Sequence, residues 1–471
     1  MKLVYQVEDK PKFGALIVFA IQQMLAIMIA TLVVPIVING NVAAAITDGA
    51  IAWDFVTPMS PAAALFGAGV GTIIYVLFTM KKSPVFLGSS FAFLGSMAAA
   101  FMGASTMAVG YLGLVIGAIF AGLVYVVISI IVKFVGVEWI TKLMPAVVIG
   151  PTVSIIGLSL AGDAVSKITT GGVVGADGNV LASPNVALLA GIVTLAATMI
   201  SSVYGKKSGK LIPFIYGILA GYVFCLVLTL IGNASGCDAI KLLSFDSFKT
   251  LTADGFGLSS IFAVPDFTFV LALGGFSEIN GAYIGTVAAA YVPVAFVVFA
   301  EHLADHKNIS SIIEKDLLED PGLHRTLLGD GIGSIFGALF GGCPNTTYGE
   351  SIACVAITKN ASVYTIITAA IGSIILSFFA PFIAFFNSIP SCVFGGVCMS
   401  LYGFIAVSGL KMVQNVDLNK NKNLFVVSII LISGIGGLTA TFGLVKITSV
   451  ACALILGVLA NVLLKGAPDE E

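Results

Sequence analysis

The acidic side chains that stand in apolar sequence are the residues best placed to do chemistry. In FVVFAEHLADH, Glu301 closes a strongly apolar run and Asp305 follows four residues later on the same helical face. Glu350 stands in the polar stretch CPNTTYGES, and Asp330 in LLGDGIGSIFG at the start of a helix. A carboxylate at membrane depth is costly and is a functional candidate by default. When ionised it accepts two hydrogen bonds, which suits a ligand offering paired N–H donors. It can also carry a coupling proton where burial and a neighbouring acid favour the protonated form. The rings of Phe91, Tyr348 and Tyr402 could stack on a flat ligand. Glu301 has a second reading, a helix-end carboxylate at the cytoplasmic interface, because His302, Asp305, His306 and Lys307 follow at once. Asp305 and Asp330 equally suit interfacial or capping positions.

Those residues need elements to hold them, and composition says which. The chain has 471 residues, 58% hydrophobic and 10% charged. A soluble domain carries about 25% charged residues, so 22 basic and 24 acidic side chains cannot clothe a water-soluble globule of this size. The same hydrophobicity excludes disorder. A net charge of −2 without a basic patch excludes a nucleic-acid binder. What remains is an all-α polytopic membrane protein. Residues 1–13 are charged, and the apolar run after them is too long for the core of a signal peptide. The seven cysteines form no CxxC pair and have no histidine at metal spacing, so they read as small packing residues and no metal or cofactor is expected. No nucleophile–base set of an enzyme is present in the sequence pattern.

Fourteen apolar segments centre near Ile27, Gly71, Phe91, Ala121, Ile155, Leu195, Ala220, Val292, Ile335, Ala353, Ile371, Met399, Leu431 and Leu456. With the N-terminus inside, 18 of the 22 basic residues fall on the inner side, and only Lys167, Lys241, Lys249 and Lys446 fall outside. This is the asymmetry of the positive-inside rule, and it places both termini in the cytoplasm of a multi-pass cell-membrane protein. Two outside loops are long, Ser166 to about Asn185 and Asn233 to about Asp266.

The segments near Phe91 and Ala353 are short and broken by Gly, Ser, Thr and Pro. SPVFLGSSF and CPNTTYGES place Pro84 and Pro344 260 residues apart, and MPAVVIGP and IPSCVFGG place Pro145 and Pro390 245 apart. Similar offsets point to a duplication of seven spans, and an odd number inverts the second copy. Inverted repeats with broken segments at matching positions point to a transporter's binding site. Residues 88–93 and 345–348 can form short extended pieces that pair and end in half-helices. The half-helix N-termini would present free N–H groups to a polar ligand. The runs Gly67–Gly71 and Gly329–Gly333 lack the context of phosphate loops and read as close helix packing.

The stretches QQMLAIMIATLVVP, GSSFAF, AEHLADHKNI, KDLLEDPGLHRTLLGDG, PNTTYGES with AITK, and LYG resemble the nucleobase–ascorbate transporter family over essentially the whole chain. The likeness is closest to the bacterial uracil permease branch. It implies fourteen segments in two inverted halves, with short strands in segments 3 and 10, and a homodimer. It also implies a core of segments 1–4 and 8–11 (1–135 and 266–388) and a gate of segments 5–7 and 12–14 (136–265 and 389–471). By the same resemblance Glu301 and Glu350 bind the base, Tyr348 and Gly349 precede Glu350 as in uracil permeases, and Phe91 packs on the ring. Tyr402 matches a gate-side tyrosine and Ala30 a position near the ligand. The coupling ion would be a proton, or sodium, with Glu301, Asp305 and Asp330 as candidates. Departures are Ser351 where the signature has Asn and Ala353 where it has Gly. Glu350 favours uracil, whereas Asp305 with Asp330 looks more like the xanthine branch. Import of a nucleobase by symport, uracil or alternatively xanthine or urate, is the implied activity. A passive channel would need no coupling carboxylate.

Overall fold

The computed structural model describes residues 3–466 apart from 137, 138, 140, 141, 143, 174–179, 254, 415, 443 and 444. Lys2 and positions 174–179 of the first expected outside loop therefore lie outside the described residues. In chain order the longer elements are α1 (Phe13–Thr47), α2 (Pro61–Phe78), β1 (Leu87–Ser89), α3 (Leu94–Met102), α4 (Met107–Val135), α5 (Ala146–Ser159), α6 (Ala161–Ile168), α7 (Pro184–Tyr204) and α8 (Pro213–Ser235). Then come α9 (Gly281–Ile313), α10 (Leu323–Gly341), β2 (Asn345–Thr347), α11 (Gly349–Thr358), α12 (Val363–Leu376), α13 (Ala380–Ser388) and α14 (Ser391–Val413). The chain closes with α15 (Asn421–Ile435), a hairpin of β3 (Ala440–Phe442) and β4 (Val445–Ile447), and α16 (Ser449–Leu463).

Among the described residues, eight helices are long and apolar enough to cross a bilayer. Thirteen of the fourteen expected centres fall within an α-helix, and Phe91 begins a 3-10 turn. Helical stretches at Thr268–Ser277 and in α13 centre on none of these segments. Thr268–Ser277 follows Phe267, whose ring packs on Phe66 at 4.9 Å and on Phe340 at 5.5 Å. α13 starts at a proline in its first turn, and Phe382 and Phe386 pack at 4.8 Å within it.

The chain divides into two compact units. The first comprises 1–156, 265–375 and 405–471, and the second 157–264 and 376–404. The core and gate of the sequence reading concern which segments move together, a different property from which segments touch. In the second unit α7 and α8 lie close because Gly217 and Gly221 face Thr194 and Thr198, and a Cβ on Gly217 would stand 2.9 Å from the Thr194 carbonyl oxygen. Thr229 there holds the turn after α8, accepting from Leu242 N at 3.1 Å and Leu243 N at 3.0 Å.

In the first unit the helix ends follow local rules. Ser60, Thr106 and Asn280 cap α2, α4 and α9 by accepting from the backbone three residues on. α10 ends at Gly342, in the left-handed conformation at φ +72°. α2 and α10 cross through the glycine runs noted in the sequence. A Cβ on Gly71 would lie 2.7 Å from the Gly333 carbonyl oxygen, and one on Gly333 2.8 Å from that of Gly71. Backbones approach this closely only over small residues, which is how membrane helices gain packing without a hydrophobic drive.

That crossing underlies the two broken segments. β1 and β2 pair antiparallel with Leu87 opposite Thr347, Gly88 opposite Thr346 and Ser89 opposite Asn345. Ser90 N donates to Pro344 O at 2.8 Å and Tyr348 N to Phe86 O at 3.2 Å, extending the ladder at both ends. Asn345 fixes the pair to the crossing, its Nδ2 donating to Gly67 O at 3.1 Å. Thr72 fixes the other strand, accepting from Leu87 N at 2.9 Å and donating to Leu87 O at 3.2 Å. Gly88 is required for steric reasons, because a Cβ there would run into the Tyr348 ring and sit 2.8 Å from Thr31 Oγ1. Gly88→Ala should overpack this site and lower stability by about 1–3 kcal/mol. The check is the melting temperature of the detergent-purified protein against wild type.

Candidate functional site

α9 carries the first acid. Glu301 does not end this helix: the helix continues to Ile313, and His302, Leu303, His306 and Ile309 beyond Glu301 are all buried. The interfacial reading of Glu301 is thereby replaced. The sequence could not show this, because the histidines and Asp305 look like an aqueous end until their partners are known. β2 and α11 carry the second acid. The chain leaves the ladder at Thr347, turns at Tyr348 and enters α11 with Glu350 in its first turn. β1 leads through a short 3-10 turn, Phe91–Phe93, into α3. Two half-helices therefore begin directly at the strand pair, and the first N–H groups of each have no partner within the helix.

These pieces enclose one cavity. It is lined by Phe91, Ala92, Ile156, Glu301, Thr346, Thr347, Tyr348, Gly349, Glu350 and Ile405, all of the first unit, and holds about 390 Å³ of empty space with its mouth included. Five of the expected ligand residues thus meet: Glu301, Glu350, Phe91, Tyr348 and Gly349. Tyr348 is held in place, its hydroxyl donating to Ser89 O at 2.7 Å. Both glutamates are half-buried at the cavity. The site offers two acceptor-only groups when ionised, two threonine hydroxyls and an aromatic face.

The other candidates fall elsewhere. Asp305 is not in the lining; its Oδ2 accepts from Thr347 Oγ1 at 2.8 Å, which ties α9 to the end of β2. Asp330 stands inside α10, more than one turn past its start rather than at it, and is fully buried and paired with His302, Nδ1 to Oδ2 at 2.7 Å. Ala30 is buried in α1 and is not in the lining. Tyr402 is buried in the second unit, where its hydroxyl donates to Asp163 Oδ2 at 3.3 Å. Asp163 also takes Lys167 at 2.9 Å in a half-buried ion pair.

Several functional neighbours carried no readable signal. Ile156, Ile405 and Ala92 are ordinary apolar residues of apolar runs. Ser351, the departure from the family signature, accepts from Phe86 N at 2.9 Å and from the amide of Gln23. One hydroxyl with two lone pairs thereby joins α11 to α1 and to the chain entering β1. The histidines form a second polar face of α9. His302 Nε2 meets Thr326 Oγ1 at 3.0 Å, and that hydroxyl donates to Leu323 O at 3.1 Å. His302 Nε2 then carries a proton, and the 2.7 Å contact with Asp330 shares one more. His306 stacks on His302 at 4.0 Å, and its Nε2 meets the Tyr75 hydroxyl at 2.7 Å. Tyr75 reaches on to Ser83 at 2.6 Å. The spacing of four between His302 and His306 was the available clue.

A family model described as the permease family matches residues 14–442. The chain belongs to the permease family, the nucleobase–ascorbate transporters. It is a multi-pass membrane permease and not an enzyme. It is 36% identical over 472 residues to a uracil permease of Bacillus caldolyticus, covering 99% of this chain and 96% of that one. It is 31% identical to a uracil permease of Escherichia coli K12, over 98% and 93% of the two chains. Among solved structures it shares its fold with the transmembrane domain of the cyanobacterial bicarbonate transporter BicA. The TM-score is 0.57 at 15% identity, over 97% of this chain and 100% of that one. The inward-facing murine solute carrier 26 member A9 gives 0.59 at 11%, over 97% and 69%. These likenesses concern the fold alone, and a ligand is set by the side chains grafted on a fold.

The His302–Asp330 pair gives a stability test. Removing one partner of a buried pair leaves the other uncompensated at a cost of about 3–5 kcal/mol. His302→Ala and Asp330→Ala should each lower the melting temperature of the purified permease strongly. The double variant should fall short of the sum, since the partners act together.

Proposed function

We propose that this permease is a secondary active transporter that imports uracil by proton symport across the cell membrane. The observation that carries the reading is the cavity where Glu301 and Glu350 stand beside Phe91. Uracil has two ring N–H groups and a flat face. The carboxylates accept from the N–H groups, directly or through a bridging water, and Phe91 covers the face. The names of the curated relatives support uracil as the base. A xanthine or urate symporter is the second reading, favoured by the presence of both Asp305 and Asp330.

The coupling proton resides on Glu301 or Asp305. Glu301 touches the cavity, and Asp305 reaches β2 through Thr347. Proton and base then report to the same paired strands. The fourteen segments act as two inverted halves, with a core of 1–135 and 266–388 rocking against a gate of 136–265 and 389–471 to alternate access. Both termini lie in the cytoplasm, and the protein works as a homodimer.

Labelled uracil uptake into proteoliposomes tests this. An imposed pH gradient, acid on the substrate side, should drive accumulation, and collapse of the gradient with an ionophore should abolish it. Glu301→Gln should cut accumulation at least about tenfold, the loss of one charge-assisted hydrogen bond or more. Equal uptake by this variant and wild type would remove Glu301 from its role. Accumulation driven by sodium alone would replace the proton. Xanthine or urate outcompeting uracil would replace the base.

A further inference from the structure

We propose that Ile156 and Ile405 form a filter that restricts the cavity to a single-ring base with an apolar far edge. The inference rests on the reading that a nucleobase occupies this cavity. The lining divides by chemistry. Glu301, Thr346, Thr347 and Glu350 supply the polar groups, and Phe91, Ala92, Ile156 and Ile405 supply the apolar ones. If the N–H groups of the base face the carboxylates and Phe91 covers the ring, the remaining ring edge meets the aliphatic side chains. In a pyrimidine such as uracil that edge carries C5–H and C6–H, which need no hydrogen bond, with the C4 carbonyl at its corner. In a purine the same region holds a second ring with nitrogen atoms that would be stripped of water against isoleucine. Size and desolvation then act together against the larger base.

The wall is also rigid. Ile156 is on α5 and Ile405 on α14, and these helices cross over glycines beside the two residues. A Cβ on Gly150 would stand 3.0 Å from the Gly409 carbonyl oxygen and 3.1 Å from Val413 N. A Cβ on Gly409 would collide in turn with Gly150 O and with Ser154. Gly409 is one turn after Ile405, and Ser154 two residues before Ile156. Backbone pressed on backbone cannot yield, and a β-branched side chain is stiff at χ1. Hydrophobic pockets discriminate by about 10- to 200-fold per methylene when their walls hold.

The test is inhibition of labelled uracil uptake by unlabelled uracil, thymine and xanthine, in proteoliposomes of the full chain. Thymine adds one methyl at C5, the size of what Ile→Val removes. Ile156→Val or Ile405→Val should improve thymine relative to uracil by about tenfold. The double variant Ile156→Ala with Ile405→Ala should admit xanthine at least about tenfold better than wild type. The valine variants keep the test decisive where the double alanine does not fold. Thymine-to-uracil ratios within about twofold of wild type in both valine variants overturn the filter, since one methylene in a firm wall is worth more. A wild-type protein that prefers xanthine to uracil also overturns it while leaving nucleobase transport intact. A wild-type protein that takes up no nucleobase overturns the underlying reading instead.

Discussion

Hydrocarbon offers no partner to a backbone N–H or C=O, and that single constraint organises this permease. A chain that interrupts its helices at membrane depth must satisfy the freed groups within the protein. Here the two interruptions satisfy each other, three residues of β1 against three of β2. The remaining polar groups nearby are tied in turn: Leu87 through Thr72, Phe86 through Ser351, Asn345 through Gly67. The glycine crossing of α2 and α10 is what lets Asn345 reach its carbonyl. Once the pair is closed, two half-helices start from it, and the positions of the cavity residues Phe91, Gly349 and Glu350 follow from where those helices begin.

α9 completes the site by presenting two polar faces. Glu301 faces the cavity, and Asp305, one turn on, holds β2 by Thr347. His302 and His306 turn to α10 and α2 and are sealed from water by Asp330, Thr326 and Tyr75. An acid exposed to a cavity can change its proton with each cycle. A fully buried His–Asp pair that shares a proton gains most by keeping it, because either charged half alone would be costly there. The division separates the face turned to the cavity and β2 from the face that packs the helix against its neighbours.

Much of this was legible in the sequence because lipid punishes exceptions. Acids, and Gly-Ser or Asn-Thr runs inside apolar stretches, stand out against a background that excludes them, and Glu301, Glu350, β1 and β2 were all marked in this way. Ile156 and Ile405 were not, because a cavity wall and a lipid-facing surface use the same aliphatic residues. The His302–Asp330 pair spans 28 residues and depends on how α9 and α10 are rotated, which packing decides. The helix end stays open as a second reading of Glu301 in the sequence because buried histidines and aqueous ones are the same letters. α13 and the turn at Thr268–Ser277 are short phenylalanine-rich helices held by ring packing, with no period long enough to mark them.

The central claim is that paired strands at membrane depth bring Glu301 and Glu350 to one planar base. The structure of the full chain determined with uracil bound tests it most directly. The account predicts the base in the cavity beside Phe91, with its ring N–H groups facing Glu301 and Glu350, directly or through one water each. Uracil bound elsewhere, or bound here with both carboxylates turned away from its N–H groups, would contradict it.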